Sequence, residues 1–345
     1  MQPMRNVALL ALVAGVSFAI SPGFAADTPP VPQTMLAAAM DKGGGPEVLT
    51  IHRLPVPKPK SGEVLIAVRA AGVSVWEAPI RQRMGALANP MVLGFEGAGI
   101  VAALGPGVKG FSVGDEVYGT SSRFDAEYVI AKAEHLARIP KGISLAQAGI
   151  LATSGLSALQ GIDDVLHLRP GDTLIIHGAA GGVGTLAVQF AKLRGARVLA
   201  TASTEDGLTL LKKLGADALV NGRSGDISAA AQRFAPNGVD AVLGLAGGDA
   251  LERCIDAVRR DGKGRVAFLY GMDPLPKPRS GMSMILYSFV GGAPEYDRLN
   301  QAAKAAKLQV PIAAEYPLEA TAAAHTRLEA GHLLGKIVLL APANR

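Results

Sequence analysis

Apolar residues recur along the chain in three rhythms, and each predicts a different kind of element. Residues 7–20 form one apolar run, interrupted only by Gly15 and Ser17. From residue 36 to 70, short apolar runs alternate with Gly and Pro clusters such as Gly43-Gly44-Gly45-Pro46 and Leu54-Pro55-Val56-Pro57. Residues 63–70, 99–104 and 116–118 read as strands separated by Gly-rich turns, which predicts a β-rich, barrel-like region. Residues 145–164 change to a helical pattern. From residue 172 to 270, strands alternate with amphipathic helices about every 20 to 25 residues, the spacing of stacked βαβ units. Residues 295–305 and 320–330 predict two further helices, and Lys336–Leu340 a closing strand.

The first apolar run has the parts of a secretory signal peptide in order. Arg5 precedes it, Ser21-Pro22-Gly23 breaks it, and Gly23-Phe24-Ala25 places small residues where a signal peptidase reads. The run is too short to span a bilayer as a stable helix, and no other segment is apolar enough to span one. Residues 1–26 are therefore expected to be a signal peptide cleaved after Ala25 or Ala26, with 27–34 a Pro-rich linker. The protein is then periplasmic or secreted. The competing reading starts the protein at Met35 and leaves it cytoplasmic, but an untranslated upstream stretch would rarely produce all three parts in order.

Composition narrows the function classes. Hydrophobic residues make up 49% and charged residues 18%, a globular α/β balance. The formal net charge is +5, yet Lys and Arg are scattered, without the stripe that nucleic-acid binding requires. The balance suits a ligand that carries phosphate. The single cysteine, Cys254, excludes an intrachain disulfide and a cysteine-based zinc site. It falls in an amphipathic stretch, residues 250–260, and reads as a small buried hydrophobe.

One turn carries the chemistry. The buried-type strand Thr173–His177 runs directly into Gly178-Ala179-Ala180-Gly181-Gly182-Val183-Gly184. A helix follows over residues 183–194, stopped by Gly195, and then the strand Arg197–Ala202. A pyrophosphate rests on free backbone N–H groups at a helix N-terminus, where the macrodipole favours negative charge. Side chains would hold it off, so Gly and Ala must line the approach. Strand, turn, helix and strand together give the glycines the context a dinucleotide fingerprint needs. The end of the second strand chooses the cofactor. Ser203-Thr204 stand there, and Glu205 and Asp206 read as first-turn acids of the next helix with Ser203 as its cap. A neutral end points to NADP(H) over NAD(H).

Several further stretches, in order, resemble one family. They are Gly45-Pro46-Glu47-Val48-Leu49, Gly62-Glu63-Val64-Leu65, Ala71-Gly72-Val73, Gly105-Pro106-Gly107-Val108 and Phe111-Ser112-Val113-Gly114-Asp115-Glu116-Val117-Tyr118-Gly119. The glycine turn, Leu214-Gly215-Ala216-Asp217 and Gly335-Lys336-Ile337-Val338-Leu339 follow. The chain from about Met35 onward resembles the zinc-independent quinone oxidoreductases, the ζ-crystallin-like branch of the medium-chain dehydrogenase/reductases. The resemblance implies an α/β fold with a GroES-like β-barrel catalytic domain and a Rossmann doubly wound parallel-sheet domain. It implies a catalytic domain over residues 35–152 and 291–345, with the NADP-binding domain over 153–290 inserted. It also implies a homodimer that reduces quinones or α,β-unsaturated carbonyls with NADPH. Cofactor contacts would fall on Ser157, Gly181, Gly182, Val183 and Ser203, with Leu245, Tyr270 and Gly271 on the nicotinamide side.

Zinc-containing relatives have Cys where Ser74 stands and His where Phe95 stands, so no zinc is expected. His325 and His332 read as surface residues of the last helix region. The branch often has Lys where Gly207 stands, to grip the ribose 2′-phosphate. Arg223 is either its substitute or a solvated loop cation. The family's quinone-side tyrosines would fall at Pro79 and Gly85, where they are missing. Ser74 and Tyr270 remain the candidates to meet the substrate oxygen, ahead of Tyr118, Glu77 and Arg81. Two rival functions stand beside the reductase: an NADP(H)-binding module with little catalysis, and an alcohol dehydrogenase. The export reading has a direct test. The native protein should begin at Ala26 or Asp27 and fractionate outside the cytoplasm; a cytoplasmic protein beginning at Met35 contradicts it.

Overall fold

Strand Glu63–Val73 is the spine of the first half: both of its edges are paired, and its apolar run is nearly continuous because both of its faces are buried. Strand Glu96–Leu104 lies antiparallel on one side. Tyr128–Lys132 and the C-terminal Lys336–Leu340 share the other. Ile312–Pro317 extends the sheet beyond Lys336–Leu340, and Glu116–Thr120 and Leu136–Arg138 extend it beyond Glu96–Leu104. Residues 312–340 therefore complete a sheet that residues 63–138 begin. A three-stranded sheet of Thr50–Pro55, Thr34–Lys42 and Ala86–Val92 closes over this one. Met35, Ala37 and Ala39 point inward onto Leu65 and Ala67 by the period-two rule of strands.

The computed structural model describes residues 30–342. The expected signal peptide and residues 27–29 of the linker lie outside them. Among the described residues no helix is long and apolar enough to cross a membrane.

The middle of the chain forms a six-stranded sheet whose strand pairs are all parallel. In spatial order its strands are Ala218–Asn221, Arg197–Ala202, Thr173–His177, Ala241–Gly244, Gly264–Leu269 and Met282–Tyr287. Counted by sequence this is the 3-2-1-4-5-6 order of a dinucleotide-binding sheet, whose direction reverses beside the first strand. The strands Thr173–His177 and Arg197–Ala202 have the bounds the pattern predicts. The single helical stretch expected over 145–164 divides instead. Leu145–Ala148 starts on a capping box of Ser144 and Gln147, and Ala152–Gln160 follows after a break. Gly149 sits at that break, where a Cβ would come within 2.5 Å of the Ala70 Cβ. Every residue of Ala152–Gln160 is buried, because this helix packs between the two halves of the molecule. The expected helix over 250–260 is shorter, Asp249–Asp256. Beyond it Val258 turns into the core, and Arg259 pairs with Asp240 and Asp261.

One buried polar contact ties the halves. Glu96, on the spine's neighbour, accepts a hydrogen bond from the Thr153 backbone N–H at 2.8 Å and from its hydroxyl at 2.5 Å. The Lys336 ammonium contacts the same carboxylate and lies 3.1 Å from Thr153 Oγ1. Three distant segments thus meet at one charge pair, and removing one partner strands the other in low dielectric. Lys336→Met or Glu96→Gln is expected to cost about 3–5 kcal/mol in urea unfolding, and the joint apolar replacement Glu96→Leu/Lys336→Met less. Single-variant losses below about 1 kcal/mol would show that the contact carries no such weight.

Candidate cofactor and active site

The turn after Thr173–His177 is shaped by what its glycines leave out. Gly178 has φ +76°, a left-handed backbone that an L side chain rarely adopts. A Cβ on Gly184 would stand 2.5 Å from the Ala179 Cα, so that glycine lets the helix lie against the turn. A Cβ on Gly181 would meet only the Gly178 carbonyl oxygen, at 3.7 Å. The space beside Gly181 is therefore open, whereas a Cβ on Gly182 would come 3.2 Å from Ser154 Oγ. Helix Gly182–Leu193 begins there with Gly181 as its N-cap and no side-chain cap. Its first-turn N–H groups have no partner within the helix, the arrangement that suits an anion, although Gly181 is bridged in parallel to Gly335, which turns the Gly182 N–H toward the Gly335 carbonyl.

The back of the turn is held from two sides. Thr201 Oγ1 accepts from the Gly178 N–H at 3.2 Å and lies 2.9 Å from His177 Nδ1. Burial and the charge of Arg253 lower the His177 pKa to about 4, so its ring stays neutral. From the C-terminal segment, the Gly335 N–H donates to the Ala180 carbonyl at 2.8 Å. Next to it the Lys336 stem passes the helix start, with its Cβ 3.3 Å from where a Gly182 Cβ would be.

At the end of the second strand, Ser203 Oγ lies 2.8 Å from His332 Nδ1. His332 is exposed with φ +52° and was not expected here. The helix cap is Thr204 rather than Ser203: its Oγ1 accepts from the Gly207 N–H at 3.1 Å. Glu205 and Asp206 are exposed first-turn acids, as read from the sequence. A Cβ on Gly207 would lie 2.8 Å from the Ala202 Cβ and 3.3 Å from the Ala180 Cβ. That position faces the strand and the turn, so a long side chain has no room to leave it directly toward a phosphate. Arg223 is exposed, and its only hydrogen bond among the described residues is from its backbone N–H to Asn221 Oδ1 at 3.0 Å. Thr204, Asp206, Arg327 and His332 line an open groove of about 420 Å³ beside this strand end.

Of the residues expected on the nicotinamide side, Leu245 donates its N–H to the His177 carbonyl at 3.0 Å, which places it against the Gly178 turn. Ser157 is buried in the helix between the halves, and its carbonyl accepts from the Tyr287 hydroxyl at 2.9 Å. Tyr270 is 77% exposed and is followed by Gly271 at φ +87°. Ser74 differs from the expectation. Its hydroxyl is covered and has no hydrogen-bond partner, while its backbone N–H donates to Glu77 Oε1 at 3.0 Å. Tyr118 is a packing residue, fully buried, stacked edge-on against Tyr296 and donating to Asn300 Oδ1 at 2.7 Å. Arg81 is fully buried against the Glu329 carboxylate and the Gly44 carbonyl.

The catalytic-zinc positions do not suit a metal. Phe95 packs its ring on Trp76 with centroids 4.2 Å apart, leaving the covered Ser74 hydroxyl as the one oxygen. Cys254 lies in the separate core under the parallel sheet, where burial pushes its thiol up to about 12. His325 corrects the sequence reading: it is fully buried, with Nε2 3.7 Å from Glu77 Oε2. Asp125, which the sequence did not single out, joins them. Burial raises Asp125 to about 7. Burial, with Asp125 beside it, holds Glu77 well above its usual range. Burial and Arg81 lower His325 to about 4. An acid between the apolar Phe124 and Ala126 was the one local signal of this cluster.

Residues 60–153 match the model of the alcohol dehydrogenase GroES-like domain, and residues 182–288 that of the zinc-binding dehydrogenases. A 2-haloacrylate reductase from a Burkholderia species is 30% identical over 90% of this chain and 100% of its own length. The human quinone oxidoreductase is 28% identical over 89% of this chain and 98% of its own. A mycobacterial protein solved in complex with NADPH superposes with a TM-score of 0.79 at 29% identity, covering 89% of this chain and 99% of that one.

Proposed function

This chain belongs to the zinc-independent, quinone-oxidoreductase-like branch of the medium-chain dehydrogenase/reductases, and from that premise we propose that it reduces quinones or α,β-unsaturated carbonyl compounds with NADPH. The open helix start at Gly181, flanked by the obligatory glycines Gly178 and Gly184, is the observation that carries this reading. In the proposal residues 153–290 hold the cofactor, and residues 35–152 with 291–345 form the catalytic domain.

The pyrophosphate would sit on the amides around Gly181, Gly182 and Val183, with Leu245 and Gly271 toward the nicotinamide and Ser157 behind it. Ser203 and His332 would take the ribose 2′-phosphate, with Arg223, exposed after the next strand of the sheet, as a candidate cation for it. Glu205 and Asp206 belong to the first turn of the next helix and leave the strand end itself to the neutral Ser203, while Asp206 shares the adjoining groove with Arg327 and His332. NADPH, when bound, supplies the hydride. As the hydride lands on carbon, negative charge gathers on the substrate oxygen, and a donor there stabilises it. The exposed Tyr270 hydroxyl suits that role. Ser74, with its hydroxyl covered, acts as a positioning residue through the N–H that holds Glu77.

A dimer is part of the proposal. Met282–Tyr287 is the edge strand of the parallel sheet. It carries Ile285 at 40% and Leu286 at 43% exposure, an edge that monomers normally blunt with charge. The intact protein should elute as a dimer, and Ile285→Lys/Leu286→Lys as a monomer; a monomeric parent contradicts this part.

NADPH consumption with 1,4-benzoquinone and with 2-chloroacrylate tests the activity. Turnover of at least one is expected, lowered about tenfold or more in Tyr270→Phe. Saturable NADPH binding without turnover of either would favour the cofactor-binding module instead.

A further inference from the structure

Outside the dinucleotide site, three ionisable side chains are buried together; Glu77 Oε1 accepts from the Ser74 N–H, and their other polar atoms are left unsatisfied. Glu77 comes from helix Glu77–Arg83, Asp125 from the loop before strand Tyr128–Lys132, and His325 from helix Thr321–Glu329. All three are fully buried. Glu77 Oε2, both Asp125 carboxylate oxygens and both His325 ring nitrogens have no hydrogen-bond partner. One ligand-type atom from each lies within 4.8 Å of the others.

Two carboxylates left this way cost several kcal/mol each unless something compensates them. The nearby cations are engaged with other partners, although Arg81 keeps one buried donor, its Nε, without a partner. Arg81, one turn beyond Glu77, contacts Glu329, one turn beyond His325, so the two helices pair their second positions and leave the first pair open. Lys336 is held by Glu96 and Thr153. The set that remains carries two formal negative charges and one imidazole lone pair, the complement of a single divalent cation.

The spacing agrees with a shared ion. His325 Nε2 and Glu77 Oε2 are 3.7 Å apart, too far for a hydrogen bond. Two ligands about 2.1 Å from a common zinc-sized ion stand roughly 3.4 Å apart in a tetrahedron. The backbone also leaves room at the third ligand. Gly94 has φ +87°, and a Cβ there would stand 2.5 Å from Asp125 Oδ1.

We infer that Glu77, Asp125 and His325 form a buried site for one divalent first-row transition ion of the zinc type. An imidazole with two carboxylates suits such ions, whereas magnesium and calcium prefer oxygen-only sets. The ligands are not the catalytic-zinc positions at Ser74 and Phe95. Full burial removes the ion from substrate, so its role is to join the first helix, the barrel loop and the last helix. The inference does not depend on the reductase activity, because it is read by metal content.

The test is metal content of the full chain expressed in medium supplemented with zinc, since a closed site is loaded during folding. About one zinc per chain is expected after exhaustive dialysis. Asp125→Asn and His325→Gln should each lower this to near zero while NADPH affinity is retained. Diffraction data from the parent protein at the zinc edge cover variants that fail to fold, with an anomalous peak expected among the three side chains. A parent protein free of metal would overturn the inference and leave a proton-sharing cluster. So would a stoichiometry unchanged in both variants, or a peak elsewhere. Loss of turnover with one zinc retained would count against the proposed activity alone.

Discussion

The contact on which this architecture depends is the buried pairing of Glu96 with Lys336 and Thr153. It joins a strand of the first half, the first residues of the inter-domain helix and the closing strand of the chain. Each partner is a long way from the others in sequence, so the contact forms only when both halves are in place. A buried charge pair is rarely a strong source of stability, but it is unforgiving of misalignment. Here that selectivity acts on the part of the molecule where alignment matters. The Lys336 stem runs past Gly182, and its neighbour Gly335 hydrogen-bonds the turn at Ala180. The residue that locks the two halves also braces the start of the dinucleotide helix.

From this constraint the cofactor cradle follows with little further specification. The parallel sheet places the glycine turn at the point where strand order reverses. Gly178 supplies the left-handed bend, Gly184 the close helix packing, and Gly181 the vacancy above the amides. Hydride chemistry asks for orientation more than for reactive side chains. That is consistent with a turn whose defining features are backbone groups and glycines.

Much of this was legible in the sequence, for a physical reason. The strands Thr173–His177 and Arg197–Ala202 are bounded by turn residues and filled with apolar ones, so local pattern and tertiary role agree. The glycine turn was legible because its geometry tolerates few residue types. The break at Gly149 was not, since it answers to a contact with Ala70 on a distant strand. His325 read as a surface residue because its neighbours in helix Thr321–Glu329 are mostly alanine and polar, which gives a weak amphipathic signal. Its burial comes from helix Glu77–Arg83 and the loop at Asp125, near the other end of the chain. The bond between Ser203 and His332 was hidden for the same reason: a loop in an unusual backbone conformation brings it from the C-terminal segment.

The buried pin between the two halves and the glycine turn form one mechanical unit, since Lys336 and its neighbour Gly335 take part in both. The most direct measurement is NADPH affinity, by calorimetric titration, of the parent chain and of the doubly apolar Glu96→Leu/Lys336→Met protein at a temperature where both are folded. The double replacement is expected to weaken NADPH binding by about tenfold or more, a loss of roughly 1.4 kcal/mol, with secondary structure intact. Equal affinities would contradict it, reducing the buried pair to a stabilising contact with no hold on the cradle.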